Sequence, residues 1–176
     1  MRGHDLVGLG EVMLRLAAPP PRRLEQTSAL DVQIGGAEAN VAAACARLGL
    51  RAAWLSALPA NPWGERIRRE LTAHGVDCGQ VRMLADARVG VYFLEFGAAP
   101  RASSVIYDRK GAAIANIKPG MVPWAKVFAH NAEDTCTRSK PGEAASRNRG
   151  ATDITMVFAR VRFLAGLGPK SEAGHD

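Results

Sequence analysis

Residues 35–49 read Gly-Gly-Ala-Glu-Ala-Asn-Val-Ala-Ala-Ala-Cys-Ala-Arg-Leu-Gly, and this stretch decides the fold. The paired glycines allow a tight turn and a close approach of the backbone to a ligand. The alanine-rich run that follows is typical of an α-helix. Val41, Cys45 and Leu48 recur at helical spacing, so we expect them to form its buried face. Gly49 stands where a left-handed residue would end the helix.

The predicted start of this helix could bind a ligand. Its first N–H groups have no partner within the helix, and the helix dipole places partial positive charge there. Such an end suits an anionic or hydroxyl-rich ligand. Asn40, about one turn in, offers a donor and an acceptor. Gly-Gly turns also begin many helices that bind nothing, so these residues alone leave both interpretations open.

Two apolar runs flank the helix. Residues 5–10 predict a buried strand, and the alternation over 11–16 is interpreted as its continuation. Residues 52–58 predict the next strand. The order strand, helix, strand predicts a right-handed crossover between parallel strands.

A second helix follows these elements. Asn61 is a favourable N-cap, and Pro62 suits the first helical position. Ile67 and Leu71 lie four residues apart and predict its buried face. Gly75 would end it.

The remaining chain changes character twice. Residues 90–96 and 103–107 are rich in β-forming residues and predict a hairpin with a longer loop. Pro123 could open a short helix. Residues 131–153 are polar without periodicity, so we expect them to be poorly ordered. Residues 154–167 are apolar again and predict one last helix or strand.

Composition narrows the class of protein. The net charge is +6, but the basic residues are scattered. The tight group at Arg66, Arg68 and Arg69 alternates with glutamates as on a solvated helix face, which disfavours nucleic-acid binding.

The three cysteines have no metal-ligand spacing. No apolar run is long enough to cross a membrane, and no signal peptide is visible, so we expect a cytoplasmic protein without a membrane partner.

Four segments in this order resemble a known family. They are Gly-Glu-Val-Met-Leu-Arg-Leu at 10–16, the Gly-Gly helix at 35–49, Gly-Val-Tyr-Phe-Leu-Glu-Phe at 90–96 and Val-Ile-Tyr-Asp-Arg at 105–109. Together they resemble the N-terminal part of the ribokinase-like (PfkB) carbohydrate kinases, and within that family the 2-keto-3-deoxygluconate kinases.

The resemblance covers about residues 5–130 and implies the fold class. That fold is α/β, with a parallel sheet flanked by helices and a small β lid formed near 11–34 and 90–108. The chain would be incomplete relative to the family. Residues 1–130 would form the N-terminal portion of the kinase domain, and 131–176 would form a divergent tail.

The resemblance also implies a sugar-acid site. The residues at the helix start would line the sugar, and they are Gly35, Gly36, Ala37, Glu38 and Asn40. Tyr92 and Tyr107 would cover the sugar, and Arg109 would bind its carboxylate. A guanidinium matches a carboxylate with two parallel hydrogen bonds. Alternatively, Arg109 could form a surface pair with Asp108 or Glu95. Many relatives carry an aspartate at the position of Arg15, which leaves the exact sugar open.

The family's catalytic aspartate has no counterpart here. In the family it lies in a Gly-Ala-Gly-Asp turn of the C-terminal half, which also carries most of the nucleotide pocket. That motif and a P-loop are both absent from these 176 residues. ATP and Mg²⁺ are therefore expected for the intact family, with their sites outside this chain, and we assign no catalytic residue and no metal ligand. Two functions remain: a kinase of sugar acids by descent, or a non-catalytic fragment that binds sugar or forms a homodimer through the lid.

Overall fold

The structure is a computed structural model that describes residues 3–122 and the backbone of strands 135–137 and 156–159. Within this part of the chain the main sheet has the order β4-β1-β10-β9. Strands β1 (Leu6–Leu9) and β4 (Ala52–Leu55) are parallel, with Leu6 opposite Ala52. Every residue of both is buried, as expected for apolar runs without alternation. The predicted parallel pair is confirmed.

The other edge of β1 pairs with a late strand. Strand β10 (Met156–Ala159) runs antiparallel to β1, and β9 (Thr135–Thr137) runs antiparallel to β10. The apolar segment 154–167 thus contains a strand, one of the two predicted alternatives. The helix predicted at Pro123 lies outside the described residues. So does the segment 131–153, for which we expect poor order, apart from β9.

Helix α1 (Ala37–Arg47) forms where the sequence predicts it, but its buried face is different. Val41 is 42% and Leu48 81% exposed, whereas Ala39 and Ala42 are buried. Alanines let the helix backbone lie close to the sheet, and that close approach turns the larger apolar side chains outward. The predicted buried face is therefore wrong for Val41 and Leu48, whereas Cys45 is partly buried and packs against the core. Gly49, at φ +88°, ends the helix in the expected left-handed conformation.

Helix α2 (Pro62–Ala73) agrees with the sequence in detail. The Asn61 side chain accepts hydrogen bonds from the backbone N–H groups of Trp63 and Gly64, at 3.0 and 3.2 Å. Ile67 and Leu71 are buried against the sheet. The helix follows β5 (Ala57–Pro59), which pairs in parallel with β6 (Arg82–Leu84).

Four strands form a second sheet, which we call the lid. They are β2 (Met13–Ala17), β3 (Asp31–Gly35), β7 (Val91–Glu95) and β8 (Ser104–Asp108), in the order β3-β2-β7-β8. The predicted hairpin is β7–β8. The interpretation of 11–16 as a continuation of β1 is wrong, since the strand stops at Leu9 and β2 enters the lid.

The hydrophobic core lies between the main sheet and the two helices. Trp54 and Ile67 are fully buried there, and the inner end of the lid packs on the same cluster through Leu14, Ile34 and Val91. Short 3-10 turns at Leu24–Gln26 and Ala113–Asn116 complete the described elements. No helix in the described part of the chain is long and apolar enough to span a bilayer.

Candidate functional site

One face of the lid carries a row of polar side chains. Arg15 on β2 lies opposite Gln33 on β3 and opposite Tyr92 on β7, and Tyr92 lies opposite Tyr107 on β8. Because residues opposite each other in a sheet share a face, all four side chains project to the same side. We call this side the site face and the four residues the polar row.

Tyr92 connects the polar row to the glycine turn. Its hydroxyl oxygen lies 2.5 Å from the position that a Cβ atom at Gly35 would occupy, so any larger residue there would displace it. Its ring centroid is 5.8 Å from that of Tyr107, in a tilted arrangement. Burial raises the pKa of the Tyr92 phenol, while the Arg15 charge lowers it in part and Tyr107 raises it.

Arg109 follows β8 and forms an ion pair on the same face. Its Nη2 lies 2.5 Å from Oε2 of Glu11, whose side chain is only 9% exposed. A Cβ at Gly90 would collide with the Glu11 carboxylate and would lie 3.2 Å from Cβ of Arg109, so this glycine leaves room for the pair. Asp108 instead binds Arg88, and Glu95 binds Arg101. Neither surface partner considered for Arg109 is its partner here.

The start of α1 adjoins this ion pair. Gly36 is the N-cap, and a Cβ atom there would strike the backbone oxygen of Glu11. Ala37 is exposed in the first turn. Asn40 is also exposed, and its backbone N–H donates to the Gly36 carbonyl at 2.9 Å. The two glycines thus bring the helix start against the site face.

Glu38 lies apart from the polar row. It is 6% exposed, and its carboxylate occupies the space beside Gly10, after the end of β1. Of the residues predicted to line a sugar, the structure brings Gly35, Gly36, Tyr92, Tyr107 and Arg109 to the lid side of the helix start. Ala37 and Asn40 lie on the exposed first turn, and Glu38 faces the main sheet.

The sequence reasoning missed two functional candidates on the site face. Glu11 was assigned no role, although its carboxylate holds Arg109. Arg15 was noted only as a departure from relatives, yet it is central in the polar row and donates to the Gln33 side chain. Strand alternation over 11–15 was the available signal, since these positions share one parity. The interpretation of 11–16 as part of β1 concealed that signal.

The described residues contain no group of three or more His, Cys, Asp or Glu side chains that could hold a metal ion. The chemistry that this region offers is recognition: two guanidinium groups, two phenols, an amide and the N-terminal end of a helix. Such groups hold hydroxyls and a carboxylate.

Comparisons with known proteins agree with this geometry. A family model described as pfkB family carbohydrate kinase matches residues 4–133. The 2-dehydro-3-deoxygalactonokinase of Haloferax volcanii is 49% identical over 115 residues, which are 65% of this chain and 36% of that protein. The 2-dehydro-3-deoxygluconokinase of Thermoproteus tenax is 31% identical over 116 residues, with the same coverage.

A solved structure shows the same likeness. The 2-dehydro-3-deoxygluconokinase of Thermotoga maritima superimposes with a TM-score of 0.67 at 43% identity, covering 70% of this chain and 38% of that one. The chain spans about 36% of the length of the curated relatives described above. The family match covers most of the chain and agrees with the lid and the crossover helix. The chain therefore belongs to the pfkB family of carbohydrate kinases.

Proposed function

We propose that this chain supplies the sugar-acid-binding part of a kinase for 2-keto-3-deoxy sugar acids such as 2-keto-3-deoxygluconate. The intact reaction transfers the γ-phosphate of ATP to the primary hydroxyl of the sugar acid in the cytoplasm. The relatives, named for 2-dehydro-3-deoxy sugars (a synonym of 2-keto-3-deoxy), support the substrate class. The observation that carries the proposal is the site face, where Tyr92 closes on Gly35 beside the Glu11–Arg109 pair.

Each residue has a defined part in this proposal. The backbone of Gly35 and Gly36 and the side chain of Asn40 hold sugar hydroxyls. Tyr92 and Tyr107 cover the ring with apolar faces and polar tips. Arg109, held in place by Glu11, donates hydrogen bonds to the substrate carboxylate.

Phosphoryl transfer itself needs groups that we do not assign to this chain. It requires a base at the attacking hydroxyl and charge stabilisation around the moving phosphoryl group. ATP supplies that group, and Mg²⁺ offsets its charge in the intact family. We therefore propose that the 176-residue chain binds the sugar acid weakly and does not turn over ATP alone.

Titration calorimetry with 2-keto-3-deoxygluconate and its uncharged carboxamide tests the binding proposal. A charge-assisted pair contributes about 1.5–3 kcal/mol, so Arg109→Ala should lower affinity for the acid by roughly one to two decades. Affinity for the carboxamide should change far less. Asn40→Ala should weaken both ligands, because it removes a contact to hydroxyls that they share.

Two results would contradict this function. Equal affinity of the parent chain for acid and carboxamide would remove the case for a sugar-acid site. ATP-dependent turnover by the purified chain, with its mass verified, would show that catalysis does not need further groups. Circular dichroism of each variant controls for loss of folding.

The edge of the lid supports a second proposal, that two copies of this chain form a dimer. Strand β8 is the last in the order β3-β2-β7-β8, and all five of its residues are exposed. Ile106 is 58% exposed and borders a hollow of about 440 Å³ on the lid side opposite the site face, together with Leu24 and Phe93. An apolar edge strand of this kind can pair with the same strand of a second copy.

A further inference from the structure

Arg15 differs from the other arginines of the lid in its surroundings. Its Nη2 donates to the uncharged Oε1 of Gln33, and its Nε is buried without a hydrogen-bond acceptor among the described residues. Tyr92, its neighbour on β7, is uncharged at neutral pH and lies close enough for the Arg15 charge to lower its pKa. The polar row thus holds a guanidinium but no carboxylate.

Three other arginines of the lid region are paired with acids. Arg109 pairs with Glu11, Arg88 with Asp108, and Arg101 with Glu95. Asp31 shares the site face, but it lies opposite Ala17, about 7 Å along the strand from Gln33. The Glu11–Arg109 pair has no net charge, so within the polar row Arg15 is the residue that places a positive charge beside Tyr92.

We propose that Arg15 is a specificity residue that supplies a local positive charge, beside Tyr92, for the substrate carboxylate. This inference rests on the sugar-acid function proposed above. The exposed end of the Arg15 guanidinium donates to an uncharged amide oxygen, and a carboxylate would be a stronger, charge-assisted acceptor there. Arg109 then adds directed hydrogen bonds, while Arg15 provides the charge that makes an acid bind better than a neutral sugar.

The experiment compares acid and carboxamide binding across matched variants of the 176-residue chain. Arg15→Gln should lower affinity for 2-keto-3-deoxygluconate about ten- to a hundredfold and lower affinity for its carboxamide far less. Gln33→Glu keeps Arg15 but places a carboxylate beside it, and should reduce the preference for the acid in the same direction. Arg69→Gln, on the exposed side of α2, removes the same charge far from the site face and should change neither affinity.

The outcomes separate this inference from the proposed function. If the parent prefers the acid and Arg15→Gln keeps that preference, Arg15 is not the specificity residue and the sugar-acid site stands. If the parent shows no preference, the proposed function fails and the inference fails with it. An equal loss in Arg69→Gln would attribute the effect to overall charge and overturn the role of Arg15. Should Arg15→Gln fail to fold, Gln33→Glu decides the question, because it keeps the arginine in place.

Discussion

The Tyr92 phenol reports on both sides of the candidate site, because it touches the Gly35 position and adjoins Arg15. Burial opposes formation of the charged phenolate and raises the pKa, whereas the Arg15 guanidinium favours the phenolate and lowers it. The two influences have opposite signs. A single measurement can therefore show whether the arginine lies beside the phenol.

We predict that Tyr92 ionises above the ordinary tyrosine pKa of 10.0 and that Arg15→Gln raises its pKa further. The chain has two tyrosines, so a Tyr107→Phe background leaves Tyr92 as the sole phenol. Absorbance at the phenolate band, followed against pH, measures the pKa. A fall in this pKa on removing Arg15 would contradict the polar row as described.

Individual residues also show what the sequence could and could not place. Tyr92 and Tyr107 were assigned to one site by the family resemblance, and the register places them opposite each other. Glu11 and Arg15 were missed because their positions depend on the end of β1 at Leu9, after which the chain passes into the lid. Which sheet a strand joins is decided by tertiary packing, and alternation alone indicates only that a strand exists.

At the scale of the elements, the β7–β8 hairpin is stabilised by the ion pair between Arg88 and Asp108, and the strength of this pair depends on pH. Nη1 and Nη2 of Arg88 donate to Oδ1 and Oδ2 of Asp108 at 2.8 and 2.7 Å. These hydrogen bonds lower the pKa of the Asp108 carboxyl below its ordinary value of 3.8. Both side chains are well exposed, so the contribution to stability is modest.

The sign of the pH effect follows from the lowered pKa. The folded chain favours the ionised carboxyl, so the pair stabilises the hairpin above the ordinary pKa of 3.8 and loses its contribution as pH falls below it. We predict faster amide exchange in β7 and β8 at acidic pH after correction for the intrinsic exchange rate. Asp108→Asn should remove most of that pH dependence, and an unchanged dependence would show that the pair does not fasten the hairpin.

Helix α1 shows why the existence of an element is easier to predict than its orientation. The alanine run, the glycine start and the glycine end gave its bounds to within a residue. Its buried face was mispredicted because Val41 and Leu48 are the most apolar residues of the run, whereas the alanines allow closer contact with the sheet. Residue hydropathy alone does not predict which face of a helix packs on a sheet, because that choice also depends on how closely the two can approach.

At the scale of the whole molecule, the proposed dimer would form through the exposed edge of the lid. We predict that the chain dimerises and that Ile106→Glu shifts it to monomer, because a buried charge without a partner opposes association. Sedimentation velocity over a range of concentrations measures this shift. Val41→Glu, on the exposed side of α1, is the matched control and should leave association unchanged. A monomeric parent chain at high concentration would overturn the dimer.

The fold class and the lid could be predicted for the whole molecule through the family resemblance, which rests on short local motifs such as the paired glycines. The antiparallel entry of β10 beside β1 could not, because no sequence pattern specifies which edge a distant strand joins. Sequence alone therefore gives the elements of this protein more reliably than the neighbours each element takes.

The direct passage from β3 into α1 has a mechanical consequence. Gly35 is the last residue of the strand and Gly36 caps the helix, so no loop separates β3 from α1. A change in the tilt of β3 would therefore shift the first turn of α1 through the continuous backbone. A ligand bound on the site face of the lid would therefore also restrict motion at the start of α1. Its binding would be detected as slower amide exchange over Ala37–Asn40, although these residues belong to the helix and not to the lid.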